Sequence, residues 1–350
     1  AAIYQGVTVI SSQAEYDDRS GATADLESPL FFPPHVFACT KPLAQGIVLG
    51  VGVYSPFGIG GTKWSRSGPT RYVSTESLIG TVSINPALAW KPHKRVALGV
   101  GVFTLLARQT EERMTDQSML GWGDGTFDLE AQGYGFGLNA GVLFFPCDTL
   151  SFGLNYSSRV RVPLSGEVEL QNLAPALQPL FGGSRFKTDV DIDMDFPHVA
   201  SFGVSWRPRA NVILVGEVEY LGWSIFDQVT IDFEQQLPSA GFADQKVAVD
   251  WDDVWRFKVG MELGLNDHLA VRLGYAYMIA AVPDHTLSPA FPDADCHSVT
   301  AGVGYSSGKW VCDVYTGLNL HEQRTINNDI LSGTYESSSI FSGLSIGYRF

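Results

Sequence analysis

No stretch of this sequence approaches the roughly 18–20 consecutive apolar residues that a membrane-spanning helix needs, which excludes a helical membrane protein. Charge is also scarce. Charged residues make up 17% of the chain, and 23 Lys and Arg stand against 37 Asp and Glu, a net charge of −14. A basic nucleic-acid-binding domain does not have that balance, so no nucleic-acid partner is expected. Cysteine is limited to Cys39, Cys147, Cys296 and Cys312, with no CxxC pair and no metal-ligand spacing to the seven His. Isolated thiols are the expectation, with no metal and no cofactor. What the chain has instead is 37 Gly, 21 Phe, 13 Tyr and 8 Trp among 350 residues, 45% of them hydrophobic. That glycine content excludes a coiled coil, and the apolar content excludes intrinsic disorder. A mean hydropathy of +0.05 suits a soluble protein. It suits equally a barrel whose strands alternate between lipid and lumen.

Period-2 alternation is the dominant signal. From Leu269 to Tyr277 every odd position is large and apolar, and every even one is small or charged. Trp255, Phe257, Val259, Met261 and Leu263 share one face opposite Arg256, Lys258, Gly260 and Glu262. Ile340, Leu344, Ile346, Tyr348 and Phe350 do so against Gly343, Ser345, Gly347 and Arg349. Leu150–Val162 reads as one strand, with Arg159 and Arg161 on the face opposite Val160 and Val162. The whole chain resolves into about fourteen strands, near 3–16, 34–41, 46–54, 72–90, 95–109, 128–145, 149–165, 188–207, 210–230, 253–265, 268–281, 297–305, 310–322 and 338–350. On this register Cys296 and Cys312 lie near opposite ends of adjacent strands, out of reach of a disulfide.

The connections alternate in length. Short turns fall at Lys41–Gln45, Lys91–Lys94, Pro146–Asp148, Pro208–Arg209, Asn266–Asp267 and Ser306–Lys309. Long loops fall at 17–33, 55–71, 110–127, 166–187, 231–252, 282–296 and 323–337. A transmembrane barrel has this asymmetry, with short periplasmic turns and long outer loops. The face opposite the large apolar residues is mostly Gly, Ser, Ala, Asn and Thr, too poor in charge for a water-exposed sheet. Aromatics cluster at strand ends (Trp90, Phe144, Phe145, Trp206, Tyr220, Trp223, Tyr305, Trp310, Tyr348), as an interfacial girdle requires. The fold class is therefore an all-β transmembrane antiparallel barrel forming a single domain over 1–350 in the bacterial outer membrane. The terminal Phe350 is the signal expected to engage the barrel-assembly machinery. Outer-membrane lipid and lipopolysaccharide are the expected surroundings, and the barrel is expected to be a monomer. No charged leader, apolar leader core or cleavage site precedes the first strand, so a signal peptide is expected to have been removed, or the sequence to begin part-way into the protein.

Several dispersed motifs carry a family resemblance. Tyr54-Ser55-Pro56-Phe57-Gly58 leaves the third strand, and Phe196-Pro197 precedes Val199–Trp206 and the Arg207-Pro208 turn. Trp251, Asp253 and Trp255-Arg256-Phe257 open the tenth strand, and Gly347-Tyr348-Arg349-Phe350 closes the chain. With the strand count, these make the sequence resemble the FadL family of outer-membrane channels for long-chain fatty acids and aromatic hydrocarbons. The resemblance implies a fourteen-stranded barrel plugged by an N-terminal hatch. The hatch's Asn-Pro-Ala stretch would fall at or before Ala1, so the hatch is expected outside this sequence. It also implies outer-loop capture and lateral exit at a kink in the third strand, where Pro56, Gly58, Gly60 and Gly61 are suited to break edge pairing.

The residues themselves suggest an apolar path. Extending the alternation places Val48, Tyr54, Ile79, Phe103, Leu105, Leu143, Ile213, Val215 and Phe341 on the inner face, where a general porin is polar. They either pack against a plug or line a greasy channel. Inward charges accompany them: Arg159, Arg161, Glu217, Glu219, Arg256, Lys258, Glu262, Arg272, Asp313 and Arg349. These form ion-pair ladders, or else one or two of Arg159, Arg161, Arg256, Lys258 and Arg272 hold a carboxylate headgroup. In the loops, Leu173, Leu177, Leu180 and Phe181 recur at helical spacing across Pro175 and Pro179, and Met114, Met119, Leu120 and Trp122 occupy 110–127. Met119, Trp122 and the four residues of 172–181 are candidates for hydrophobic capture, with loop–loop packing the alternative. Enzyme motifs do not survive inspection. Gly343-Leu344-Ser345-Ile346-Gly347 matches GxSxG but lies inside a strand, and Gly58–Lys63 lacks the phosphate-loop spacing. The expected function is passive diffusion of a fatty acid or related hydrocarbon, without catalysis. An aromatic-specific channel and a structural barrel or adhesin are the alternatives.

Overall fold

In the computed structural model, residues 1–350 are described except Arg19, 28–29, 32–35 and Gly58, and except the side chains of Leu30, Phe31 and Ile59. Fourteen antiparallel strands form a closed barrel. They are β1 (Ala2–Asp18), β2 (Val36–Ala44), β3 (Ile47–Tyr54), β4 (Glu76–His93), β5 (Val96–Thr115) and β6 (Gly125–Cys147). There follow β7 (Leu150–Ser157, resumed at Val160–Gln171), β8 (Phe186–Phe196, resumed at Val199–Arg209), β9 (Val212–Leu221) and β10 (Val254–Gly264). The circuit ends with β11 (Leu269–Met278), β12 (Cys296–Ser307), β13 (Trp310–His321) and β14 (Gly333–Arg349). Each strand pairs with its sequence neighbour, and β14 returns to β1 from Ala2↔Arg349 to Asp18↔Gly333, so among the described residues the circuit closes without an edge strand.

Alternation explains which side faces lipid. Val259, Leu273 and Tyr275 are large and exposed, while Gly260, Arg272 and Gly274 between them face the lumen. The lumen accommodates rings because a glycine stands across the ladder from them. Phe103 pairs with Gly137, Phe341 with Gly317 and Tyr315 with Gly343. In each case a Cβ on the glycine would lie 2.2–2.3 Å from the ring. At the periplasmic end Tyr348 meets Trp310 at a tilt and Phe350 edge-on, with centroids 4.7 and 5.0 Å apart. The four cysteines are free. Cys296 and Cys312 pair with His321 and Tyr305, at opposite ends of the β12–β13 ladder.

Three expectations need correction. The periplasmic turns are tighter than the prolines suggest, because Pro42, Pro92 and Pro208 remain in their strands. Each sits where the register slips, and a bulge absorbs the missing amide donor. The loops 110–127, 166–187 and 323–337 are shorter than expected, because strand extends into each of them from both sides. The β5–β6 ladder runs out to Thr115↔Gly125, and Arg324–Ile326 pairs with Gly333–Tyr335. Leu129, Val168, Leu170 and Phe186 are buried in this outer region, so the alternation persists beyond the lipid.

The third correction concerns facing. Val160, Val162 and Leu164 are buried inside, although Leu154 and Tyr156 at the same parity face lipid. The strand is interrupted at Ser158–Arg159, and β8 is interrupted in step at Pro197–His198. The faces exchange across this break. Arg161 consequently points outward, where it pairs with Asp193 of β8, and is not lumenal. Arg159 lies in the break itself and is exposed.

The face assignment predicts a contrast. Leu273→Arg, at a lipid-facing side chain 56% exposed, should destabilise the folded barrel by about 2–4 kcal/mol. Val215→Arg, at a lumenal position 47% exposed, should be tolerated to within about 1 kcal/mol. Urea unfolding in lipid vesicles measures both. Equal losses would contradict the assignment.

Candidate functional site: an aromatic cavity in the lumen

A cavity of about 470 Å³ lies in the outer half of the lumen. One wall is aromatic. Phe57, just beyond β3, stacks on Phe196 at 5.1 Å and meets Trp223 edge-on at 5.7 Å. Trp223 meets Trp251 at 4.8 Å, Trp251 meets Phe226 at 4.9 Å, and Phe291 closes the run at 6.0 Å from Trp251. These rings come from chain breaks. Trp223 and Phe226 follow the end of β9, Trp251 precedes β10, and Phe196 ends the first half of β8 at the exchange of faces. Trp223 therefore belongs to this wall and not to the lipid girdle. The opposite wall is polar and comes from β1, β12, β13 and β14, with Ser12, Cys296, His321, Ser337 and Ser339.

The segment between β11 and β12 closes the outer end. The Pro289 carbonyl accepts from Thr62 Oγ1 (3.0 Å) and from buried Trp64 Nε1 (2.9 Å). Arg324 donates to the carbonyls of Val282 and Asp293, both at 2.8 Å. Leu287 is completely buried in this closure. The Asp293 carboxylate accepts the backbone N–H groups of Ala281 (2.6 Å) and Val282 (3.1 Å), and burial still pushes its pKa upward.

The cavity reaches the wall beside β3. The ladder to β4 runs to Tyr54↔Ser83 and resumes at Ile59↔Gly80, so only Thr81 and Val82 stand opposite the intervening chain. Pro56 lies in this break, while Gly58 lies outside the described residues. Gly60 and Gly61 line the cavity. A Cβ on Gly61 would sit 2.2 Å from the Ser77 carbonyl oxygen, so only glycine fits, whereas Gly60 faces open space.

Of the inner apolar residues read from the sequence, Ile79 lines this cavity. Phe103 and Leu105 are buried in the packed outer core. Leu143 and Val48 line a separate cavity of about 540 Å³ nearer the periplasm. Tyr54, Ile213, Val215 and Phe341 lie on the inner face outside the aromatic wall. The loop residues divide in the same way. Leu173, Leu177 and Phe181 pack into the outer core, whereas Leu180, Trp122 and Met119, the last 99% exposed, remain open to solvent.

Three lumenal cations are paired. Lys258 Nζ lies 2.8 Å from Glu217 and 3.3 Å from Glu219, and Arg256 lies 3.2 Å from Glu219. Arg272 holds Glu262 at 2.6 Å and reaches over β12 to Asp313 of β13. That reach needs Gly304, whose Cβ would lie 2.6 Å from Asp313 Oδ1 and 2.7 Å from Arg272 Nη1. Among the five proposed carboxylate anchors, Arg256 lines the aromatic cavity. Periodicity did not reveal the aromatic wall, because all of its rings except Phe196 lie outside the strands. The one available clue was the presence of Trp223 and Trp251 next to strand breaks.

The fold has counterparts elsewhere. Residues 5–350 match the family model described as outer membrane protein transport protein (OMPP1/FadL/TodX). The chain belongs to this family. It is therefore an outer-membrane transport barrel. A long-chain fatty acid transport protein of Escherichia coli O6:H1 is 20% identical over 83% of this chain and 70% of that protein. Among solved structures, a Pseudomonas aeruginosa FadL homologue superposes with a TM-score of 0.87 at 18% identity, covering 100% of this chain and 90% of that one. The Pseudomonas putida toluene transporter TodX superposes at 0.78 with 16% identity, over 100% and 90%.

The Gly304 crossing can be tested directly. Gly304→Val should separate Arg272 from Asp313 and lower stability by about 1 kcal/mol, the pair being partly solvated. Gly99→Val, at an inward glycine where the nearest atom to an added Cβ is the Leu88 carbonyl oxygen at 4.0 Å, should change little. Urea midpoints of the two variants report the difference.

Proposed function

We propose that this barrel is a passive channel for hydrophobic molecules. It takes them at the exposed apolar tips of the outer loops, holds them in the aromatic cavity, and releases them sideways through the wall beside β3. Met119, Trp122 and Leu180 supply the capture surface, and Pro56, Gly60 and Gly61 flank the exit. The observation that carries this reading is the cavity's continuity with the interrupted β3–β4 ladder, since Phe57 belongs to the aromatic wall and to the break. No catalytic step is part of this function. The toluene transporter and the fatty-acid transporter in the family are named for uncharged and acidic cargoes respectively. The lumen supports the uncharged one. Lys258 and Arg272 each already hold two carboxylates, and Arg256 holds one, so a ligand carboxylate would compete with resident acids.

A fatty acid remains the second reading. It rests on Arg256, which borders the cavity and keeps further guanidinium donors beyond its contact to Glu219. Phe350 and the aromatic periplasmic rim fit recognition by the assembly machinery, and the apolar outer surface fits lipid and lipopolysaccharide contact by a monomer.

Uptake into proteoliposomes tests both readings. With an alkylbenzene as cargo, Trp251→Ala should slow entry roughly two- to tenfold, the scale of one or two aromatic contacts. Unchanged entry would contradict the cavity route. Arg256→Gln should leave alkylbenzene entry intact and reduce fatty-acid entry less than about twofold. A loss near tenfold confined to the acid, the scale of a charge-assisted hydrogen bond, would favour the second reading.

A further inference from the structure

Besides its aromatic wall, the cavity is bordered by two polar groups with unused hydrogen-bonding capacity. Asp293 borders the cavity, and its two described hydrogen bonds both end on Oδ2. Arg324 contacts the Asp293 main-chain carbonyl and pairs with the Asp284 carboxylate, so no cation bonds directly to the Asp293 carboxylate among the described residues. His321 borders the same cavity, and its buried Nδ1 has no hydrogen-bond partner among the described residues. A pure hydrocarbon in this space would leave both groups facing an apolar surface, and desolvated polar groups without partners are costly. A carboxylated ligand would bring a second negative charge toward Asp293. A neutral ring bearing one hydroxyl satisfies both walls, the ring lying against Trp223, Trp251 and Phe57 and the hydroxyl donating to Asp293 or His321.

We propose that the cavity is selective for hydroxylated aromatic compounds of the phenol class, with Asp293 and His321 as the groups that read the hydroxyl. This rests on the proposed cavity route and narrows its cargo. Sites built to hydrogen-bond a hydroxyl discriminate strongly against the analogue without it, because the analogue leaves the site's own groups unpaired. The aromatic wall alone has no such power, since it gains equally from either ring.

The test is calorimetric titration of the purified barrel with 4-ethylphenol, ethylbenzene and 4-ethylbenzoate, in the wild type and in the Asp293→Asn, His321→Phe and Trp251→Ala variants. Comparing one ligand across variants cancels its partition into detergent. Asp293→Asn should weaken 4-ethylphenol binding about tenfold, the difference between a charge-assisted and a neutral hydrogen bond, and leave ethylbenzene within about twofold. His321→Phe preserves ring volume and should act in the same direction. Trp251→Ala should weaken both neutral ligands alike, and 4-ethylbenzoate should bind most weakly. Heat-modifiable gel mobility checks that each variant is folded, and His321→Phe serves if Asp293→Asn is not. If ethylbenzene binds and responds to Trp251→Ala while neither polar variant separates it from 4-ethylphenol, the selectivity is wrong and the cavity stands. If no ligand binds the wild type, or Trp251→Ala affects none, both the selectivity and the cavity route fall.

Discussion

Inside a hydrocarbon layer a backbone N–H finds no water, so a spanning sheet must close on itself. The pairing of β1 with β14 along their full lengths performs that closure, and every other feature depends on it. Closure fixes one face of each strand to lipid and the other to the lumen. It also explains why lumenal side chains are so often small. Rings such as Phe103, Tyr315 and Phe341 fit because the residue across the ladder is glycine. The same economy of volume lets Arg272 cross β12 at Gly304.

The cavity arises where that regularity is suspended. At Ser158–Arg159 and Pro197–His198 two adjacent strands lose their ladder together, and their faces exchange. Above the exchange the barrel's outer extension fills with a packed core instead of a channel. Below it the lumen carries ion pairs and small residues. The aromatic wall sits at the junction, built largely from segments that leave the sheet, and reaches the interruption of the ladder beside β3. The proposed passage of apolar molecules rests on this placement: a ring-lined chamber lies beneath a closed roof and next to the interrupted β3–β4 ladder.

The strand count, the closing Phe350 and the faces of β10 to β14 were legible in the sequence, because uninterrupted alternation determines them. The facing of Arg161 was not. Alternation holds on both sides of Ser158–Arg159, so a change of parity leaves no mark on either half. The hint lay in the neighbouring strand, at Pro197. The site was only partly legible for a related reason. Periodicity identifies residues such as Ile79 and Arg256 that occupy strands, but has no purchase on Trp223, Trp251 or Phe291. Asp293 and His321 become notable only when the fold places a loop carboxylate beside the end of β13. The prolines near the periplasmic turns suggested loops, yet bulges keep them within the strands.

The central claim is that a hydrophobic molecule rests between Phe57 and Trp251 on its way through the wall. Crystals of the protein soaked with a brominated alkylbenzene, measured at the bromine absorption edge, address it most directly. The account predicts an anomalous peak within the aromatic cavity, in contact with Trp223 or Trp251. A bound ligand whose only bromine peaks lie in the periplasmic-side cavity lined by Val48 and Leu143, with none against the aromatic wall, would contradict it.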